Sequence, residues 1–255
     1  MDVLMTGIIA FTLLLQVIPS SNAKLAELPE YIHICKRNDP DLPNCIIKSL
    51  DFMKPYLKSG IEDLRVPPFE PLDLGELNIL EGGSSGFTVK AKHLKVYGPG
   101  EFKIKKMTVR ESAQRFDFEL LLPILNAEGH YEINGNLLSL PIKGNGPFVG
   151  NFTNFMAFVK VEFEPYQNPE QDNIEFLTVK TLQVKVKVGK GKLKLYNLFN
   201  GDRTIGDVVN ETINNNFEAF ATELIGPIEK ALEKKFVNIA KKIMDKYSHD
   251  QLFPL

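Results

Sequence analysis

Few residues of this 255-residue chain have the type and spacing that catalysis needs. Gly82-Gly83-Ser84-Ser85-Gly86 matches the letters G-x-S-x-G of a hydrolase nucleophile elbow, whose serine attacks a carbonyl carbon. That chemistry requires a strand, a sharp turn and a helix, with an acid and then a His later in the chain. The segment after Ser84, Phe87-Thr88-Val89-Lys90-Ala91, instead alternates apolar and polar residues as a strand does. A glycine-rich loop between strands is the better reading, and no local pattern singles out His93, His130 or His249 as a base. Gly189-Lys190-Gly191-Lys192 lacks the G-x-x-x-x-G-K-[ST] spacing that cradles phosphates and reads as a solvated hairpin turn. Gly144-Asn145-Gly146 lacks the third glycine of a dinucleotide fingerprint. With four His, two Cys and no H-E-x-x-H or C-x-x-C spacing, no catalytic residue, metal site or cofactor is assigned.

Two modifications are chemically open, and both depend on export. Ile8 to Ile18 form an apolar block of 11 residues, closed by Pro19. It is too short to cross a bilayer, which takes about 20 apolar residues, and matches the core of an export signal. Ser21-Asn22-Ala23 supplies the small-x-small cleavage pattern, so residues 1–23 read as a signal peptide and 24–255 as one secreted, extracellular domain. The stretch before the block holds Asp2 and no Lys or Arg, a departure from the usual pattern; the rival reading is a buried N-terminal helix. In an exported chain Cys35 and Cys45 are most simply a disulfide, since a metal site would lack partners beyond His33. Asn151-Phe152-Thr153 and Asn210-Glu211-Thr212 are glycosylation candidates. Removing residues 1–23 leaves 30 basic and 31 acidic side chains, a net charge of −1. That balance gives no reason to bind nucleic acid, and no later segment is apolar enough for integral membrane association.

The periodicities say which elements must position any site. Residues 41–59 place Ile46, Ile47, Leu50, Met53 and Leu57 at helical spacing and end at Gly60. Residues 65–80, with Pro67, Pro68 and Pro71, are expected to be extended and irregular. Alternating runs follow at Phe87-Val89-Ala91, Leu94-Val96, Phe102-Ile104, Met107-Val109, Phe116-Phe118-Leu120-Leu122, Tyr131-Ile133, Leu138-Leu140-Ile142, Val159-Val161-Phe163, Leu182-Val184-Val186-Val188 and Leu193-Leu195. Phase slips after Ala91 and Ile104 predict bulges, and Gly, Pro and Asn between runs predict successive antiparallel strands. From Thr204 to Tyr247 the period becomes helical, with Thr204 or Asp207 as cap and a kink at Gly226-Pro227. A straight helix of that length would reach about 66 Å, against about 35 Å for a compact globule of this size.

The fold class is therefore α+β, a long curved antiparallel β-sheet wrapped around a long C-terminal α-helix. The chain has 18 Phe and no Trp, and much of the Phe falls on the inward faces. A sheet curled on a helix need not fill its interior, and the remaining space would be an apolar tunnel. Its expected walls are Phe87, Val89, Phe102, Ile104, Phe116, Phe118, Leu120, Tyr131, Ile133 and Leu140 from the sheet, with Phe217, Phe220, Leu224 and Ile228 from the helix. Tyr131 or a neighbouring hydroxyl is the candidate polar handle for an ester or quinone oxygen.

Several segments together resemble the insect takeout / juvenile-hormone-binding protein family, the takeout branch more closely. They are Ile34-Cys35-Lys36-Arg37, Leu42-Pro43-Asn44-Cys45-Ile46, Pro68-Phe69-Glu70-Pro71-Leu72, the loop Glu81 to Gly86, and Gly129-His130-Tyr131-Glu132-Ile133-Asn134-Gly135. Leu140-Pro141-Ile142-Lys143-Gly144-Asn145-Gly146, Asn197-Leu198-Phe199-Asn200-Gly201-Asp202 and Leu252-Phe253-Pro254 complete the set, in order along the chain. The resemblance implies the same wrapped-sheet fold, an internal tunnel and carriage of terpenoid, fatty-acyl or quinone-like ligands by a monomer without enzymatic activity. It leaves feeding, clock-linked, chemosensory and developmental roles open. Hormone carriers of the family have a second disulfide, for which this chain has no further Cys. The rival readings are a secreted signalling protein with a filled core recognised by a receptor, and a lipid hydrolase using Ser84.

Overall fold

A computed structural model describes residues 25–82, 87–110, 114–137 and 140–255. The expected signal peptide and Ser84 lie outside these residues, as do the side chains of Phe87 and Leu140. The described residues form a curved antiparallel half-barrel of seven strands with helices against it. Its centre is one very long hairpin, β4 (Arg115–Leu137) and β5 (Leu140–Asn168). On one edge of β4, β2 (Phe87–Tyr97) and β3 (Lys103–Arg110) lie end to end, and β1 (Leu72–Gly82) pairs with β2. On the far edge of β5, β6 (Ile174–Lys187) and β7 (Lys190–Leu195) also lie end to end. Gly189 is therefore the break between two collinear strands, not a hairpin turn as expected.

The alternating runs are strands, but fewer and longer than their separators suggest. The runs at Phe116 and Tyr131 share β4, and those at Ile142 and Val159 share β5. Pro123 does not end β4 because it sits between the last β3 pair, Lys103↔Leu121, and the first β2 pair, Tyr97↔Asn126. Its missing N–H costs no ladder bond on that edge. Gly98 turns the chain there with φ +100°, where a Cβ would lie 2.1 Å from the Ile124 carbonyl oxygen. Glu70 holds the same corner by accepting from the Gly98 and Gly100 amides at 2.8 and 2.7 Å. Both expected bulges occur, between Lys92 and Lys95 and between Ile104 and Lys106. The region 65–80 departs from expectation. Its prolines precede β1, whose register slips around Gly75 disguise the alternation of Leu72, Leu74, Leu77 and Ile79.

Helix α1 (Leu42–Ser59) matches its prediction and stops at Gly60, φ +85°. The C-terminal helical region is two elements, α2 (Arg203–Asn215) and α3 (Phe217–Met244), followed by the short α4 (His249–Leu252). The interruption falls at Asn216, while α3 runs on through Gly226-Pro227. Asn216 takes a non-helical conformation, and its side-chain amide donates to the Thr212 carbonyl at 2.9 Å. The cap of α2 is Asp202, accepting from the Ile205 amide, rather than Thr204 or Asp207. Cys35 and Cys45 are disulfide-bonded. The loop they close holds the C-terminus: Arg37 donates from Nε to the Phe253 carbonyl and from its amide to the Pro254 carbonyl, both at 2.7 Å, and pairs with Asp250.

Candidate functional site: an apolar cavity between sheet and helices

The inward residues of the half-barrel do not meet in a solid core. A cavity of about 640 Å³ lies between the sheet, α1 and α3, within the range of about 300–1,000 Å³ usual for small-molecule sites. Alternation along the strands explains its chemistry: every second side chain points inward, and those positions carry Val, Leu, Ile, Phe and Ala. Among the described lining residues only Lys90 and Tyr131 have polar side chains. Lys90 sits between the buried Val89 and Ala91, so its ammonium belongs to the other face. The Tyr131 hydroxyl donates to the Tyr196 carbonyl at 2.6 Å, and burial pushes its pKa up to about 12. The one hydrogen of this expected polar handle therefore goes to the backbone, which leaves its oxygen as an acceptor.

The expected wall residues Val89, Phe102, Ile104, Phe118, Leu120, Tyr131 and Ile133 line the cavity, as do Phe217, Phe220, Leu224 and Ile228. Phe116 does not. It is buried at one end, its ring centroid 5.8 Å from Phe163 and 5.6 Å from Phe253, where it helps plug the interior. Sequence reasoning missed walls from α1 (Leu50, Met53, Leu57) and from β5 (Phe148, Phe152, Phe155). The α1 residues lay on its recognised apolar stripe. The β5 set was hidden because Phe152 and Phe155 straddle Asn154, whose φ of +57° shifts the alternation by one residue. Leu232, Phe236, Ile239 and Ile243 extend the α3 wall at the same helical spacing.

Two polar pairs fix the helices over this wall. On α2, Asn210 accepts from the Leu195 amide at 2.8 Å and donates to its carbonyl at 3.0 Å, and Asn214 does the same to Leu193 at 2.7 and 2.9 Å. One turn apart, they satisfy the outer edge of β7. On α3, Glu229 and Glu233 accept from the Val186 and Val184 amides at 2.7 and 2.9 Å, satisfying the edge of β6. Lys185 also donates to Glu229, at 2.7 Å. These bonds use donors and acceptors that an edge strand otherwise leaves exposed. Asn210 is consequently buried, with its side-chain amide turned to the strand edge. Asn151 stands exposed on the outer face of β5.

Comparison with known proteins agrees with this architecture. The family model for haemolymph juvenile hormone binding protein matches residues 9–254. The chain is 24% identical over 233 residues to circadian clock-controlled protein daywake of Drosophila melanogaster, covering 88% of each. It is 22% identical to the Drosophila yakuba protein of the same description, again over 88% of each. The crystal structure of Epiphyas postvittana Takeout 1 superposes with a TM-score of 0.76 at 22% identity, covering 87% of this chain and 99% of that one.

Proposed function

The chain belongs to the haemolymph juvenile hormone binding protein family, and from that premise we propose that it is a secreted carrier of a small lipophilic ligand. The observation that supports the reading is the cavity of about 640 Å³ whose lining, among the described residues, is almost entirely apolar. The cargo inside would be chiefly a hydrocarbon chain, of terpenoid, fatty-acyl or quinone-like kind, because polar groups buried against an apolar wall cost free energy unless each finds a partner. A chain burying about 400 Å² of apolar surface gains about 10 kcal/mol at roughly 25 cal/mol/Å². Ordering and association costs reduce this, to about −8 to −10 kcal/mol, a micromolar to high-nanomolar affinity.

The test is solvent extraction of the protein purified from the medium of secreting cells, followed by mass analysis of the extract. The carrier reading expects an apolar molecule in near-stoichiometric amount, displaceable by added fatty acid or farnesyl ester. Failure to take up any of these, whatever the source of the protein, would end it.

A further inference from the structure

The two Asn-x-Thr sequences meet opposite environments. Asn210 is 5% exposed and uses both amide hydrogens, to the Leu195 and Gly206 carbonyls at 3.0 and 2.9 Å. Asn151 faces outward from β5, in a row of register partners across four strands: Tyr97, Asn126, Asn151 and Lys192. Its Nδ2 donates one hydrogen to Asn126 Oδ1 at 2.7 Å. A groove of about 490 Å³ runs beside it, lined by Tyr97, Glu128, Val149, Lys192 and Lys194. On the same face, two residues from Asn126 and Asn151 along their strands, Ile124 is 54% exposed and Val149 45%.

We propose that Asn151 carries an N-linked glycan whose first sugars occupy this groove, and that Asn210 carries none. In the transfer an Nδ2–H bond breaks and Nδ2 bonds to the anomeric carbon of an oligosaccharide held on a polyprenyl diphosphate. The diphosphate leaves with the electron pair of the broken C–O bond, and the proton passes to a base of the transferring enzyme. The product amide keeps one N–H, which is what the bond to Asn126 needs. At Asn210 the same substitution deletes one of two donated bonds and forces a sugar between α2 and β7. In the groove the half-exposed Tyr97 ring offers a flat face for a pyranose. Lys192 offers donors for its hydroxyls. Lys194, which pairs with Asp207 at 2.9 Å, and Glu128, which accepts from the Tyr97 hydroxyl at 2.9 Å, offer their remaining donor and acceptor positions. The sugars would cover Ile124 and Val149, two large apolar side chains that nothing else in the described residues covers.

This inference shares export with the carrier reading but not its cargo, so a bare Asn151 on secreted protein would overturn it alone, and an empty cavity would overturn the carrier reading alone. Its test is peptide mass mapping of the full chain expressed in cultured insect cells, before and after peptide-N-glycosidase treatment. One glycan is expected, on the peptide containing Asn151. Asn151→Gln should remove it, and so should Thr153→Ala, which spares the Asn126–Asn151 bond. Thr212→Ala, which erases the second acceptor sequence without touching Asn210, should leave the glycan mass unchanged. Secreted protein with bare Asn151, a glycan on Asn210, or a chain retained unglycosylated in the cytosol would each overturn the proposal.

Discussion

The two flanks of the sheet are closed by different chemistry. Along β6 and β7, side chains from α2 and α3 satisfy the free strand edge directly: Asn210 and Asn214 on β7, Glu229 and Glu233 on β6. Along β1 and β3, α3 and α1 lie mainly on apolar side chains. There Lys235 reaches the Asp73 carbonyl at 2.6 Å from the outside. The first flank is directional, so it sets the height and rotation of the helices over the cavity. The second is mainly apolar contact, which restrains orientation less, on a strand whose pairing carries three register shifts. The contrast assigns the β6–β7 flank to holding the wall of the cavity in place by directional bonds, and the β1 flank to closing it by apolar packing.

The largest effect is expected at Asn210. Asn210→Ala leaves the Leu195 N–H and C=O buried without partners, and unfolding in denaturant should show a loss of about 2–4 kcal/mol. Hydrogen exchange at the Leu193 and Leu195 amides should accelerate in the same variant. Glu229→Ala removes a buried carboxylate from the Val186 amide and should cost about 1.5–3 kcal/mol by the same measurement. Tyr131 ties β4 to the end of β7 and gives the flank a pH dependence. Its pKa is raised by burial to about 12 from 10.0, so the unfolded chain ionises first as pH rises. That contribution is fully present below pH 10 and is lost between pH 10 and 12, by about 1–3 kcal/mol. Tyr131→Phe should flatten this alkaline decline relative to the parent. On the opposite flank Lys235→Met should change stability by less than about 0.5 kcal/mol. An effect there as large as that of Asn210→Ala would erase the distinction between the flanks.

How much of this was legible follows from which interactions leave a local trace. The apolar stripe of α1 and the alternation of Phe116 to Leu122 are properties of neighbouring residues, and both named their elements. Pro123 looked like a separator because its tolerance depends on the gap between β2 and β3, two segments remote in the chain. The first half of β6 escaped notice because Phe176 and Leu177 are both fully buried, which cancels the alternation; α4 lies against this strand. The polar pairs were invisible for a different reason. Asn210 and Asn214, or Glu229 and Glu233, read as the solvated side of a helix until a strand edge is placed against them. The cavity walls were largely legible, since inward facing is a matter of period. The bond from the Tyr131 hydroxyl was not, because its partner is a carbonyl 65 residues away.

The central claim, that the space between sheet and α3 holds the cargo, is tested most directly by filling it. Ala221 lines the cavity from α3, and Ala221→Trp places an indole in it. Native mass spectrometry of parent and variant, each confirmed folded by thermal unfolding, should show one apolar molecule bound to the parent and at least a tenfold loss of occupancy in the variant. Equal occupancy in both would place the ligand elsewhere and contradict the account.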